Sequence, residues 1–178
     1  MYYRLIGNSE NFRNYIMVDY SQEYADMFNG KSMAKGYKPQ IFVLTKESEK
    51  EYPVADISTG YLPICSAKAK KVIEEIVKVD EVEFLPCYLD GVNEIFYILN
   101  ILGQEDCVDY EKSKFTRFPS NPNKIMSFEY IEFKNKVNRH FFRIKDLPYC
   151  HYFVSQEAKE KLENAGLKGL DFDNKLFI

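Results

Sequence analysis

Tyr2–Ile6, Tyr15–Val18 and Gln40–Thr45 are short runs rich in apolar and aromatic residues, which predicts strands. Between them, Ser21–Asn29 ending at Gly30 predicts a short helix, and the polar run Lys46–Tyr52, closed by Pro53, predicts a loop. Past residue 61 a helical period appears. After Leu62-Pro-Ile-Cys and Ser66, apolar residues recur at Ala69, Val72, Ile73 and Ile76, the i, i+3, i+4, i+7 stripe of a helix with one buried face. Val82–Leu89 then reads as a strand and Asp90-Gly91 as a hairpin turn, with Glu94–Ile101 as the return strand. Pro119–Asn123 marks another turn, and Lys124–Phe133 and Arg139–Ile144 read as strands. The expectation is an α+β fold of mixed or antiparallel sheets.

One pattern occurs twice. Phe153-Val-Ser-Gln-Glu-Ala-Lys-Glu-Lys-Leu, leading into Leu170-Asp-Phe, repeats the segment that starts at Ile64. At a constant offset Ser66 matches Ser155, Ala69 matches Ala158, Lys70 matches Lys159 and Glu74 matches Glu163; after one residue inserted in the first copy, Phe84 matches Phe172. Each copy reads as strand, serine N-cap, amphipathic helix, strand. A serine hydroxyl at either cap can accept from a free N–H of the first turn. The second helix buries Ala158, Leu162 and Ala165 and stops at Gly166. The pairs Lys70–Glu74 and Lys159–Glu163 fall on the solvent side, where Lys before Glu is the weaker order. Two capped helices share such residues by chance as readily as by duplication, and the sequence alone leaves both open.

Composition narrows the class. Hydrophobic residues make up 46% and charged residues 29% of 178, the balance of a soluble globular chain. The 14 Tyr and 14 Phe, with no Trp, fall largely in strand-like runs. No apolar stretch is long enough for a membrane span, and Met-Tyr-Tyr-Arg-Leu-Ile lacks the features of a signal peptide, so the expected location is cytoplasmic. Cys65, Cys87, Cys107 and Cys150 form no close pair of the kind zinc sites use, and read as small buried thiols.

Charge is unevenly distributed. Residues 61–111 carry 4 basic and 11 acidic side chains, and residues 112–145 carry 9 basic and 2 acidic. Either the two segments face each other in the fold, which is the favoured reading, or they create a field that steers a partner. The basic segment is interleaved with Phe115, Phe118, Phe128, Tyr130, Phe133, Phe141 and Phe142, which could stack on bases. The net charge of −3 opposes nonspecific nucleic-acid binding. The search for catalysis is negative. His140 and His151 lie in strand contexts, and a Cys150–His151 dyad would point to opposite faces. Neither Ser66 nor Ser155 lies in a nucleophile elbow, and no phosphate loop, dinucleotide or zinc motif occurs. No catalytic, cofactor-binding or metal-binding residue is expected.

Four elements in order carry a family resemblance: Leu62-Pro-Ile-Cys-Ser-x-x-Ala; Val82-Glu-Phe-Leu-Pro; Cys107-Val-Asp-Tyr-Glu-Lys-Ser; and Phe142-Arg-Ile with Phe153-Val-Ser and Gly166-Leu-x-Gly-Leu-x-Phe. Over roughly residues 61–173 the chain resembles an immunity-protein family of bacterial polymorphic toxin systems, long catalogued as a domain of unknown function. The resemblance implies a cytoplasmic α+β protein that binds and neutralises a cognate toxin without catalysis, with no cofactor, nucleic-acid or membrane partner. A small hydrolase or transferase is the alternative. The resemblance divides the chain into an unassigned N-terminal part, 1–60, in the same globule as an immunity-like domain, 61–178. Toxins that attack nucleic acid carry basic clefts, so the expected toxin contacts are acidic: Asp80, Glu81, Glu105, Asp106 and Asp109.

Overall fold

The computed structural model describes the whole chain except residues 22, 23, 25, 26, 47, 49, 50, 61, 79, 135, 136, 146, 148–150 and 174–178. The helix expected over Ser21–Asn29, much of the loop after Lys46, Lys136 and Cys150 therefore lie wholly or partly outside the described residues. The strands in the first half are β1 (Tyr2–Gly7), β2 (Tyr15–Met17), β3 (Gln40–Leu44), β4 (Ile57–Ser58) and β5 (Ile64–Ser66). Helix α1 (Ala67–Glu74), β6 (Val82–Leu89), β7 (Ile95–Ile101) and β8 (Gln104–Glu105) follow. The remainder comprises β9 (Lys114–Phe118), β10 (Asn121–Tyr130), β11 (Phe141–Ile144), β12 (Phe153–Ser155), helix α2 (Gln156–Asn164) and β13 (Leu170–Asp173). The α+β expectation holds. A six-stranded sheet runs β2-β3-β6-β7-β5-β4, a five-stranded sheet runs β13-β1-β12-β11-β8, and β9 and β10 form a separate hairpin.

The repeat is larger in space than in sequence. The order β6-β7-β5-β4 in one sheet is matched by β13-β1-β12-β11 in the other. The registers agree rung by rung. Cys65 opposes Tyr97 as Val154 opposes Tyr3, Phe84 opposes Leu99 as Phe172 opposes Leu5, and Ile57 opposes Cys65 as Phe141 opposes Val154. Bonds beyond the ladders repeat as well: Leu99 N–H donates to the Pro63 carbonyl and Leu5 N–H to that of Tyr152, both at 2.8 Å. The unit is thus strand, strand, helix, strand, strand. Its second copy takes its last strand from the opposite end of the chain, because β1 sits between β12 and β13.

Both caps form as the residues dictate. Ser66 and Ser155 have extended backbones, and each hydroxyl accepts from the N–H three residues on, at Ala69 and Ala158, at 3.1 Å. The helices then bury Ala69 with Ile73, and Ala158 with Leu162, in one core shared with Leu5, Ile57, Cys65, Leu99, Phe141 and Val154. Gly166, at φ +61, follows α2 in the left-handed conformation that ends a helix. The lysines differ from expectation. Lys70 pairs with Glu74 and lies over Phe84 and Tyr97, 5.2 and 5.5 Å from the ring centres; Lys159 pairs with Glu163 and lies over Tyr3 and Phe172, at 5.2 and 5.3 Å. Each stem covers apolar surface while the ammonium meets a ring face, so neither lysine is a purely solvated group.

The two units are joined at two junctions, and these are not alike. Asp56 and Ile57 donate their N–H groups to the Lys168 carbonyl at 2.9 and 3.3 Å. The equivalent N–H groups of His140 and Phe141 instead donate to the Glu81 carboxylate at 2.8 and 3.3 Å. Glu81 precedes β6 as Gly169 precedes β13. At Gly169, φ is +85 and a Cβ would collide with the Ala55 side chain and come within 2.8 Å of the Ile57 carbonyl, so main chain meets main chain at that junction, and the Asp56 carboxylate adds a bond by accepting the Lys168 N–H at 2.9 Å. Where the backbones stand farther apart, a buried carboxylate reaches across.

Each sheet is covered on its other face by an inserted segment. Phe28, Tyr24, Met33 and Tyr37 pack on Phe42, Leu85, Cys87 and Phe96. Glu83 pins that cover, accepting from Ser32, Met33, Ala34 and Asn100 at 2.6–3.2 Å. On the second sheet Ile125, Phe128 and Ile131 pack on Phe142, Ile144 and Phe153.

Candidate interaction surfaces

The five acidic residues expected to meet a partner fall in different environments. Glu81 is fully buried, and its role in joining the units corrects the expectation that it lies on an exposed acidic face. Asp80 and Asp106 are well exposed, with 76% and 59% of their side chains accessible, whereas Glu105 and Asp109 keep 29% and 16%. All four are engaged by the basic segment. Arg139 reaches Glu105 at 2.9 Å and Asp80 at 3.4 Å, Lys134 meets Asp106 at 2.9 Å, and Lys112 meets Asp109 at 2.8 Å. The Lys134 ammonium holds the Asp106 carboxyl below its usual range, and the Lys112 ammonium does the same for Asp109, which also caps the turn N–H groups of Glu111 and Lys112. The segments of opposite sign therefore face each other, as the favoured reading had it.

The aromatics of the basic segment mostly face inward. Phe128, Phe141 and Phe142 are buried, Phe115 and Phe133 pack against the core that holds Phe128 and Phe142, and only Phe118 and Tyr130 of that set stand exposed on the hairpin. The thiols of Cys65, Cys87 and Cys107 are buried, and desolvation pushes those of Cys87 and Cys107 up to about 12. Among the described residues no group of three or more His, Cys, Asp or Glu could hold a metal ion, and no helix is long and apolar enough to cross a membrane.

One contact escaped sequence reasoning. His140 Nδ1 lies 2.9 Å from the Ser155 hydroxyl at an open depression of about 390 Å³ beside the start of α2. Fifteen residues separate the pair, so no local motif could reveal it. Its counterpart in the other unit is Ser66, whose hydroxyl donates to Asp56 at 2.9 Å. The two side chains thus tether equivalent caps to the strand outside them, and the shared serine already accepts the cap N–H.

An apolar row across the six-stranded sheet also went unread. Ile41 opposes Tyr88, Tyr88 opposes Ile95, and Val18 N–H bonds the Ile41 carbonyl at 2.9 Å, one rung beyond the Met17–Phe42 pair. These four side chains are 46–55% exposed. The sequence signal was available: strands that alternate cleanly ought to show polar residues on a solvent face, and these do not.

The family model for Immunity protein family (Imm11) matches residues 11–175. The chain belongs to this family. The match begins fifty residues before the segment that carried the resemblance and takes in β2 and β3, which extend the first sheet. No curated protein matches the chain.

Proposed function

We propose that this chain is a cytoplasmic, non-catalytic immunity protein that binds and neutralises the cognate toxin of a polymorphic toxin system. The observation that carries the reading is the family match over residues 11–175. Residues 1–60 act with 61–178 as one globule, a division supported by the seat of β1 between β12 and β13 and by the pairing of β3 with β6. No cofactor, nucleic acid or membrane enters the mechanism. Protection follows from occupying a surface the toxin needs. Of the acidic set, the exposed Asp80 and Asp106 are those able to favour association with a basic toxin; because each is already paired within the chain, their effect falls on the rate of encounter.

The hydrolase alternative has one observation behind it, the Ser155–His140 pair. Capping and tethering account for that pair, since the other unit uses Asp56 in the same place with no histidine. The experiment is co-expression with the protein encoded in the neighbouring reading frame. Growth should be restored by the wild-type chain and equally by His140→Asn. A toxic neighbour that the chain fails to neutralise overturns the immunity reading, and protection lost in a folded His140→Asn variant favours the enzyme.

A further inference from the structure

We propose that the row Val18, Ile41, Tyr88 and Ile95 is the face on which the toxin docks, and that the toxin presents there an apolar centre flanked by lysine or arginine. The inference rests on the immunity reading and names the surface it uses. Directly opposed residues of adjacent strands share a face, so the four side chains stand side by side over β2, β3, β6 and β7. At the usual strand spacing that row spans about 14 Å.

The same face of β6 and β7 carries Phe84, Tyr97 and Leu99, but there α1 and Lys70 lie over it. The helix layer covers β6 and β7 where Phe84, Tyr97 and Leu99 stand and leaves Tyr88 and Ile95, at the turn end of the same two strands, open. The strands β2 and β3 belong to the segment inserted between β1 and β4, and they widen the sheet beyond what the helix reaches. Side chains on the opposite face of these strands, Phe42, Leu85, Cys87, Leu89 and Phe96, are buried, so the exposed row is not a disordered edge of the core. Two isoleucines, a valine and a tyrosine in a line, each about half exposed, form a contiguous apolar surface of the kind that marks an interface.

Charge selects the occupant. Residues 14–20, 40–44 and 86–95, which bear the row, contain Asp19, Asp90 and Glu94 and no lysine or arginine. None of these three acids takes part in an ion pair among the described residues. A second copy related by a two-fold axis would bring acidic rim against acidic rim. A toxin with basic residues around an apolar centre meets the same surface with opposite sign. The hairpin β9–β10 also exposes Phe118 and Met126, but among Lys114, Arg117 and Lys124, which repel such a partner.

The test measures binding to the catalytically inactivated protein of the neighbouring reading frame, by calorimetry and by association kinetics. Ile41→Thr with Tyr88→Thr keeps strand-forming residues and should weaken Kd by about 30-fold or more at an unchanged melting temperature. Asp90→Asn with Glu94→Gln should slow association several-fold at low salt and leave dissociation unchanged. Phe118→Thr with Met126→Thr on the hairpin should bind as wild type. If the Ile41/Tyr88 variant fails to fold, Val18→Thr with Ile95→Thr reads the same surface. Wild-type affinity in a folded row variant overturns the docking face while leaving the immunity reading intact, as does loss of binding in the hairpin variant alone. A wild-type dimer in solution that the row variant dissociates assigns the face to a second copy instead. Absence of binding by the wild-type chain removes the immunity reading itself, and the docking face with it.

Discussion

His151 illustrates how one residue records its surroundings. Burial, with the Arg4 cation adding to it, brings its pKa from 6.5 down to about 4. Above pH 6.5 the imidazole is neutral in both the native and the unfolded chain and has no effect on pH dependence. Between 6.5 and about 4 the unfolded chain binds a proton that the native chain refuses, so stability falls as pH falls through that window and levels off below it. The expected loss is roughly 3 kcal/mol at most. Urea denaturation at pH 7 and pH 4.5 measures it, and His151→Gln should flatten the difference. Asp106 and Asp109, whose carboxyls are held low by lysines, lose their pairing only below about pH 4, outside this window.

At the scale of elements, each helix is defined by a serine that does two jobs. Its oxygen accepts the N–H of the first turn, and its hydroxyl bonds Asp56 or His140 in the strand outside. A helix of eight or nine residues is marginal by itself, so its start must be specified by the cap and its stability supplied by packing. Ser66→Ala and Ser155→Ala should each cost about 1 kcal/mol, measured as a shift in the denaturation midpoint. A midpoint that does not move in either variant would show that the caps carry no weight. The cap serine and apolar stripe of both helices were legible in the sequence, because these are local patterns. The tethers were not, since Asp56 and His140 reach their serines through strand pairing rather than through spacing.

Across the whole molecule, the two units meet through one junction where main chain bonds main chain and one where a carboxylate takes the place of the main-chain carbonyl. Glu81 closes the second, and truncation to Glu81→Ala would leave the His140 and Phe141 N–H groups unpaired at a buried site. The expected cost is about 3 kcal/mol, against less than about 1 kcal/mol for Asp80→Ala next to it, whose exposed side chain pairs with Arg139 in water. Equal destabilisation by the two substitutions would contradict this account of the junction. The same asymmetry explains an error of reading. Glu81 and Asp80 are neighbours in an acidic run, and sequence gives no sign that one carboxylate faces solvent while the other stands in for a main-chain carbonyl.

The sequence by itself determined most of the longer strands, where helices α1 and α2 begin, and which face of each is apolar, while the short β4 and β8 and the hairpin strand β9 went unread. Those properties depend on residues within a few positions of one another. Tertiary structure alone decided that β1 completes the second unit, because the pattern that marks a strand does not say which strand it joins. It also decided the fate of the charges, since Arg139, Lys134 and Lys112 neutralise acids brought to them by the fold. Finally, it left Ile41, Tyr88 and Ile95 in water. The apolar runs that hold them show no polar face, but the helix layer does not reach the whole sheet, and a side chain is covered only where another layer reaches it.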